Sequence, residues 1–488
     1  NDYTATTAKT QGCWDNTLWT NGSSIKTLNG LAGTGTKCLA MVTGDGVGDS
    51  SAITTVTATA VATWEGMGGL KSNNYLVNAI YFGNFRGGTS GGMDYTLVGV
   101  AVFNGKAADA DLKAIVGSPI WQGTASGSGT WNTVATNKAW ASAFTKEAEA
   151  FVNNTPAIFN DISGATTSTV TVGGTVTPAS VLVDNGTTAY TITSSGAANA
   201  IIGSKVITKR GAGTLTLNGS DATATRISKL VQEAGTVILG GAANAKTAAL
   251  REGGGDGNTQ AELDIQGGTF DLNTQYTYTT DAVSGYLTQK PITLGGPTKA
   301  TITNGGIALY ECATNTVVYD GGTGGENVGA EISAYFASTY VADPRVKQFN
   351  IGNGSDPVDL TLSGGIGAKK NGSNWEVLTG FYDQVTLEKV GAGTLAINCP
   401  NRWDTLKLSA GTVQLGHEKA LPQTPVALTA TGTGALTMDG GTLEMNGFSQ
   451  TIKTLTGTGM ITSTPAATLT VTDATTYGGN IGGAVSLA

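Results

Sequence analysis

Lys209-Arg210-Gly211-Ala212-Gly213-Thr214-Leu215-Thr216-Leu217-Asn218 returns as Lys389-Val390-Gly391-Ala392-Gly393-Thr394-Leu395-Ala396-Ile397-Asn398. A second phrase follows each copy after about twenty residues, the spacing of a repeat unit. It reads Glu233-Ala234-Gly235-Thr236-Val237-Ile238-Leu239-Gly240 in one case and Ser409-Ala410-Gly411-Thr412-Val413-Gln414-Leu415-Gly416 in the other. Glycine turn, short alternating strand, variable excursion, then glycine turn and strand again: this is the pattern of a stacked β-solenoid.

Working outward, the same grammar extends from about residue 166 to the end. Ser168 to Val172, Ala261 to Ile265, Gly268 to Leu272, Ala435 to Met438 and Gly441 to Met445 alternate apolar residues with Thr, Asp, Gln or Glu. One face of each strand then points into a core and the other to water. Glycine ahead of many of these strands supplies the positive-φ corner, and outward Thr keeps β propensity without greasing the surface.

The two paired phrases resemble the autotransporter-associated β-strand repeat. Asp439-Gly440-Gly441-Thr442-Leu443-Glu444-Met445-Asn446-Gly447, Ile452-Lys453-Thr454-Leu455-Thr456-Gly457-Thr458-Gly459 and Thr476-Tyr477-Gly478-Gly479-Asn480-Ile481-Gly482-Gly483 support the resemblance. It covers residues 166–488 and is weak over about 275–385, where an insertion is expected to interrupt the repeats. It implies an all-β chain, a right-handed parallel β-helix (solenoid), secreted or displayed on a bacterial surface. At roughly 20–25 residues per coil and about 4.8 Å per coil, 166–488 makes about 13–16 coils, a stack of roughly 60–75 Å.

Residues 1–118 are different in character. Tyr75 to Phe82 and Tyr95 to Phe103 read as strands. Val98, Val100 and Val102 share a face ahead of an Asn104-Gly105 turn and a short helix near Asp109. This run resembles the close of a laminin-G-like, concanavalin-type jelly roll, so a β-sandwich or jelly-roll-like module precedes the solenoid. The span is short for such a module, which is expected to be abbreviated or incomplete. Between the two, 119–165 reads as a junction with a capping helix over Lys138 to Asn153. Trp140, Phe144, Ala148 and Phe151 recur there at helical spacing.

Composition narrows the function classes. The chain has 488 residues with 72 Gly but only 11 Pro and no Gly-X-Y period, which excludes collagen. Charged residues are 13% and the net charge is −8, with no cationic cluster, which argues against a nucleic-acid partner. No apolar run is long enough to span a bilayer as a helix, so no transmembrane segment is expected. The chain starts at Asn1 and reads as a mature or excised segment. Its last coil reads as an uncapped strand edge, a template for another chain.

Cys13 and Cys38 close a loop of some 25 residues as a disulfide or stand as buried thiols; both readings stay open, as they do for Cys312 with Cys399. Chemistry is otherwise sparse. One histidine, His417, makes a Ser-His-Asp or Cys-His site improbable and reads as a turn residue. Asp264 with Asp271, or Asp439 with Glu444, would serve a glycosidase only as a close pair in a cleft; solvated outer faces explain them better. Asp45 and Asp49 lack the ligand density of a calcium loop. No catalytic, cofactor-binding or metal-ligating residue is assigned, and no cofactor is expected. The Asn-Gly-Ser/Thr triplets, including Asn185 and Asn353, read as turns first.

Trp14, Trp19, Trp64, Trp121 and Trp131 crowd the N-terminal part of the chain. They are core residues on one reading; on the other, Trp14, Trp19 and Trp64 form a surface that stacks on sugar. The resulting expectation is a non-enzymatic extracellular or cell-surface structural protein. It would build or extend a surface layer or filament through self-association or neighbouring parts of a longer surface protein. The alternatives are a glycan-binding adhesin on cell-surface or extracellular polysaccharide and, more distantly, a polysaccharide lyase or glycosidase.

Overall fold

Alternation of buried and solvent-facing residues runs through nearly every strand of the computed structural model. It describes residues 119–488, except 125–126, 143–146, 197, 220–224, 241–249, 251–260, 274–285, 289, 310–315, 338–345, 372–373, 377–384, 423–433 and 474, and the backbone of six strands before residue 65. The described residues form strands and turns, with no helix among them.

The chain divides into two compact units, Asn1–Ile120 with Trp140–Glu149, and Trp121–Ala139 with Ala150–Ala488. In the first unit, Gln11–Trp14, Thr17–Thr20 and Ser23–Thr27 form one antiparallel meander. Leu39–Thr43, Ala52–Val56 and Val61–Trp64 form another. The expected strands at 75–82 and 95–103 and the helix near Asp109 lie outside the described residues. The helix expected over 138–153 is not what forms: Trp140–Ser142 and Ala148–Glu149 pair as antiparallel strands. Helical spacing there rests on few apolar positions. Trp140 and Phe151 are both buried, which extended chain accomplishes as well as one helix face.

The second unit is built from parallel ladders in the manner of a β-helix, or solenoid. One parallel sheet runs strand by strand from Ala157–Asn160 to Thr476–Tyr477, and a second, of fourteen strands, from Gly129–Trp131 to Asn480–Ile481. The chain alternates between them: Ile201–Arg210 in the first sheet, Thr214–Gly219 in the second, Thr225–Gln232 in the first, Thr236–Gly240 in the second. Parallel pairing makes each glycine-led strand the neighbour of the strand one coil earlier.

Inside lies a stacked apolar column. Tyr190, Leu215, Val237, Phe270, Ile302 and Ile332 align rung on rung in the second sheet, and all six are 0% exposed. Near its start Trp131 sits edge-on to Phe151 at 5.2 Å and Phe159 at 5.5 Å. Burial of this kind contributes roughly 1.5–3 kcal/mol per large apolar side chain.

The ladders run on through the described residues of 275–385, where an interruption was the expectation. Ile292–Leu294, Val317–Tyr319 and Val346–Ile351 continue the first sheet, and Ala300–Thr303, Ala330–Ile332 and Leu360–Leu362 the second. What changes is the length of the coil. Thr386 pairs with Thr405 in the next coil, whereas Val346 has to reach as far as Thr386 for the same partnership. The longer coils carry a third strand, Tyr286–Thr288, Gly306–Leu309, Tyr335–Ala337 and Ile366–Asn371, in a parallel sheet of their own.

Candidate functional site

Polar chemistry gathers at the corner between the two sheets, where the repeated phrase lies. Strand alternation turns Ile207 and Lys209 inward together, and likewise Leu387 and Lys389. Both lysines are 0% exposed. Lys389 Nζ donates to the carbonyls of Val390 at 3.0 Å, Gly391 at 2.7 Å and Ala410 at 3.0 Å. Lys209 Nζ donates to the carbonyls of Arg210 and of Gly211, the latter at 2.6 Å. A buried ammonium is tolerable only with such partners. Burial pulls both groups down to about 8, while Asp184 and Asp161 near Lys209, and Asp359 near Lys389, pull the other way.

The second phrase answers the first. A Cβ on Gly235 would stand 2.7 Å from Lys209 Nζ and closer still to Gly211 O; one on Gly411 would stand 2.6 Å from Lys389 Nζ and 2.5 Å from Gly391 O. Both glycines also have positive φ, 73° at Gly235 and 72° at Gly411. The lysine of one coil therefore requires the glycine of the next, which accounts for the two phrases travelling together.

Other corners use different polar groups for the same end. The Asp161 carboxylate accepts from the backbone N–H groups of Gly186, Thr187 and Thr188 at 3.0, 2.8 and 2.7 Å, one coil on. Those donors hold its carboxyl down to about 2. Asn185, fully buried, donates to Thr188 O and Thr214 O, so its Asn-Gly-Thr triplet is a corner. Gln232 Nε2 donates to Gly235 O. Tyr319 Oη donates to Asn327 O and Val328 O at 2.9 Å, and burial raises its phenol to about 12. Asp359 accepts from Gly354 N and Thr394 N.

The carboxylates weighed as catalytic pairs are each occupied by partners within the chain. Asp264 lies in the first sheet and Asp271 in the second. Lys229 bridges Glu262 at 2.9 Å and Asp264 at 3.0 Å; Asp271 accepts from Asn273 N and Asn304 Nδ2. Asp439 pairs with Lys407, which also meets Glu388, and Glu444 accepts from Asn446 N and Thr464 N. His417 occupies a turn, its Nδ1 accepting from Lys419 N. No group of three or more His, Cys, Asp or Glu among the described residues is arranged to hold a metal ion.

Trp14, Trp19 and Trp64 lie on the strands of the two meanders, opposite Thr17, Gly12 and Ile53; their side chains, and Cys38, lie outside the described residues, as do Asp45 and Asp49. Cys13 pairs by backbone with Leu18. Trp121 and Trp131 are fully buried core residues. Cys399 is a free, buried thiol pushed up to about 12 by burial, and Cys312 lies outside the described residues. No helix among the described residues is long and apolar enough to cross a membrane.

The corner lysines are not found by searching the sequence for catalytic or metal-binding patterns. Their signal is parity: in Ile207-Thr208-Lys209 and Leu387-Glu388-Lys389 the lysine falls on the inward side of its strand. Comparison of the chain with protein-family models, with curated proteins and with solved structures finds no match.

Proposed function

We propose that this chain is a secreted or surface-displayed structural protein, a right-handed β-helix akin to the autotransporter-associated repeats, that builds or extends a cell-surface layer or extracellular filament. The observation that carries the reading is where its polar groups are placed. The Lys389 ammonium, the Asp161 carboxylate and the Lys229 and Lys407 bridges each connect one coil to the next. Those contacts fasten successive coils to one another, as an extended structural element requires. Its N-terminal module is a laminin-G-like jelly roll on this reading, and copies associate head to tail.

Electron microscopy of the purified chain at several concentrations tests it. Regular filaments or layers are the expected result. Isolated particles at every concentration, together with saturable polysaccharide binding that Trp14→Ala, Trp19→Ala and Trp64→Ala abolish, would replace it with a glycan-binding adhesin. Release of reducing or unsaturated sugar ends would replace it with an enzyme.

A further inference from the structure

The two long sheets differ in what they show to water. Solvent-facing positions of the first sheet mix threonines, such as Thr437, Thr456 and Thr476, with the charged Lys229, Glu262, Asp264, Glu388 and Lys407. The corresponding positions of the fourteen-stranded sheet are dominated by threonine. Thr214, Thr236, Thr269 and Thr301 stand in register on four successive strands, and Thr394, Thr412 and Thr442 on three. Its carboxylates are already matched within the chain: Asp271 by Asn304, Glu331 by Lys299 and Ser363, Glu444 by backbone donors. Its register shows no bulge among the described strands, unlike the first sheet, which slips between Ile201 and Val206.

Water tolerates charge on either face equally, so solvation alone does not explain the asymmetry. We propose that the threonine face of the fourteen-stranded sheet is a lateral self-association surface, on which a second copy of this chain packs side by side. The inference rests on the structural reading above and names its lateral partner.

Three features select that occupant. Fourteen strands, spaced about 4.8 Å apart and about four residues long at about 3.3 Å each, make a face of roughly 900 Å². Doubled over two copies this reaches about 1,800 Å², within the usual range of a stable specific interface. A chain of net charge −8 meets its own copy here through a face dominated by neutral threonine, its carboxylates held by hydrogen bonds within the chain. A second copy also has the same rise per coil, so threonine methyls and hydroxyls that mesh at one rung mesh at all of them, as in a dry sheet-to-sheet contact. A twofold axis lying in the plane of the interface satisfies this and closes the pair.

Sedimentation equilibrium of the full chain tests it, comparing the wild type with a Thr236→Lys/Thr269→Lys/Thr412→Lys variant. Thr437→Lys, on the first sheet, is the control. The expected result is a concentration-dependent doubling of mass that the triple variant weakens by about tenfold or more and the control leaves unchanged. Should the triple variant melt early, Thr269→Cys with a short bismaleimide replaces it: copies link through Thr269→Cys and not through Thr437→Cys. End-to-end filaments that form equally in wild type and triple variant, without side-by-side pairs, overturn the lateral face and leave the structural reading standing. A mass of one chain at every concentration overturns both.

Discussion

Gly235 and Gly411 each occupy a left-handed backbone position with an ammonium and two carbonyls where a side chain would begin. Gly→Ala at either must strain φ and displace the corner of the preceding coil, so a loss above about 3 kcal/mol is expected, measured by denaturant unfolding. A loss under about 1 kcal/mol would mean that the corner yields freely. The lysines beneath them make a pH prediction. Unfolded, they hold their protons to about 10.4; folded, to about 8. Between those values the unfolded chain binds more protons, so their contribution makes stability rise with pH. Cys399, raised to about 12, works against this in an overlapping range. The comparison is therefore of wild type with Lys209→Met/Lys389→Met across about pH 8 to 10: the upward slope belongs to the wild type and shrinks in the variant. Equal slopes would show that the carbonyls compensate the burial entirely.

Single coils are held to their neighbours by groups that differ from corner to corner. Asp161 is held down to about 2 by three backbone N–H donors of the following coil. Its ordinary value is about 3.9, so the stability it supplies is complete above that pH and is lost as pH falls through about 2. Asp161→Asn should lower the denaturation midpoint at neutral pH and flatten the acid limb in that window; an unchanged acid limb would assign the loss to other carboxylates. This variety of corner chemistry also explains how far the fold is legible. Lys-x-Gly-Ala-Gly-Thr-Leu and Ala-Gly-Thr-Val announce themselves because two lysine corners and their glycines are repeated. From 275 to 385 the same ladders continue, but Tyr319 and Asp359 satisfy the corners and the coil lengthens. A search for a fixed period meets an interruption there. The strands at Trp140 and Ala148 escape for a related reason, since apolar residues three and four apart suit a helix as well as two short paired strands. Outward threonine is legible residue by residue, but its alignment into columns depends on register, and variable coil length conceals register from the sequence.

In the second unit each coil touches mainly the coils before and after it, since the ladders join successive strands in order. Stability in such an array is close to a sum of coil and nearest-neighbour contributions. Leu215 is fully buried between Tyr190 and Val237 in the same column. Leu215→Ala leaves a cavity and should cost about 2–5 kcal/mol. Hydrogen exchange should locate that loss: amides of Ala189–Ser194, Thr214–Gly219 and Thr236–Gly240 exchange faster, while those of Thr412–Leu415 and Thr442–Glu444 keep their protection. Such a gradient means that the stack can open locally and still hold its remaining coils. Uniform acceleration across all these strands would instead make the unit one cooperative block, and the nearest-neighbour account would have to be given up.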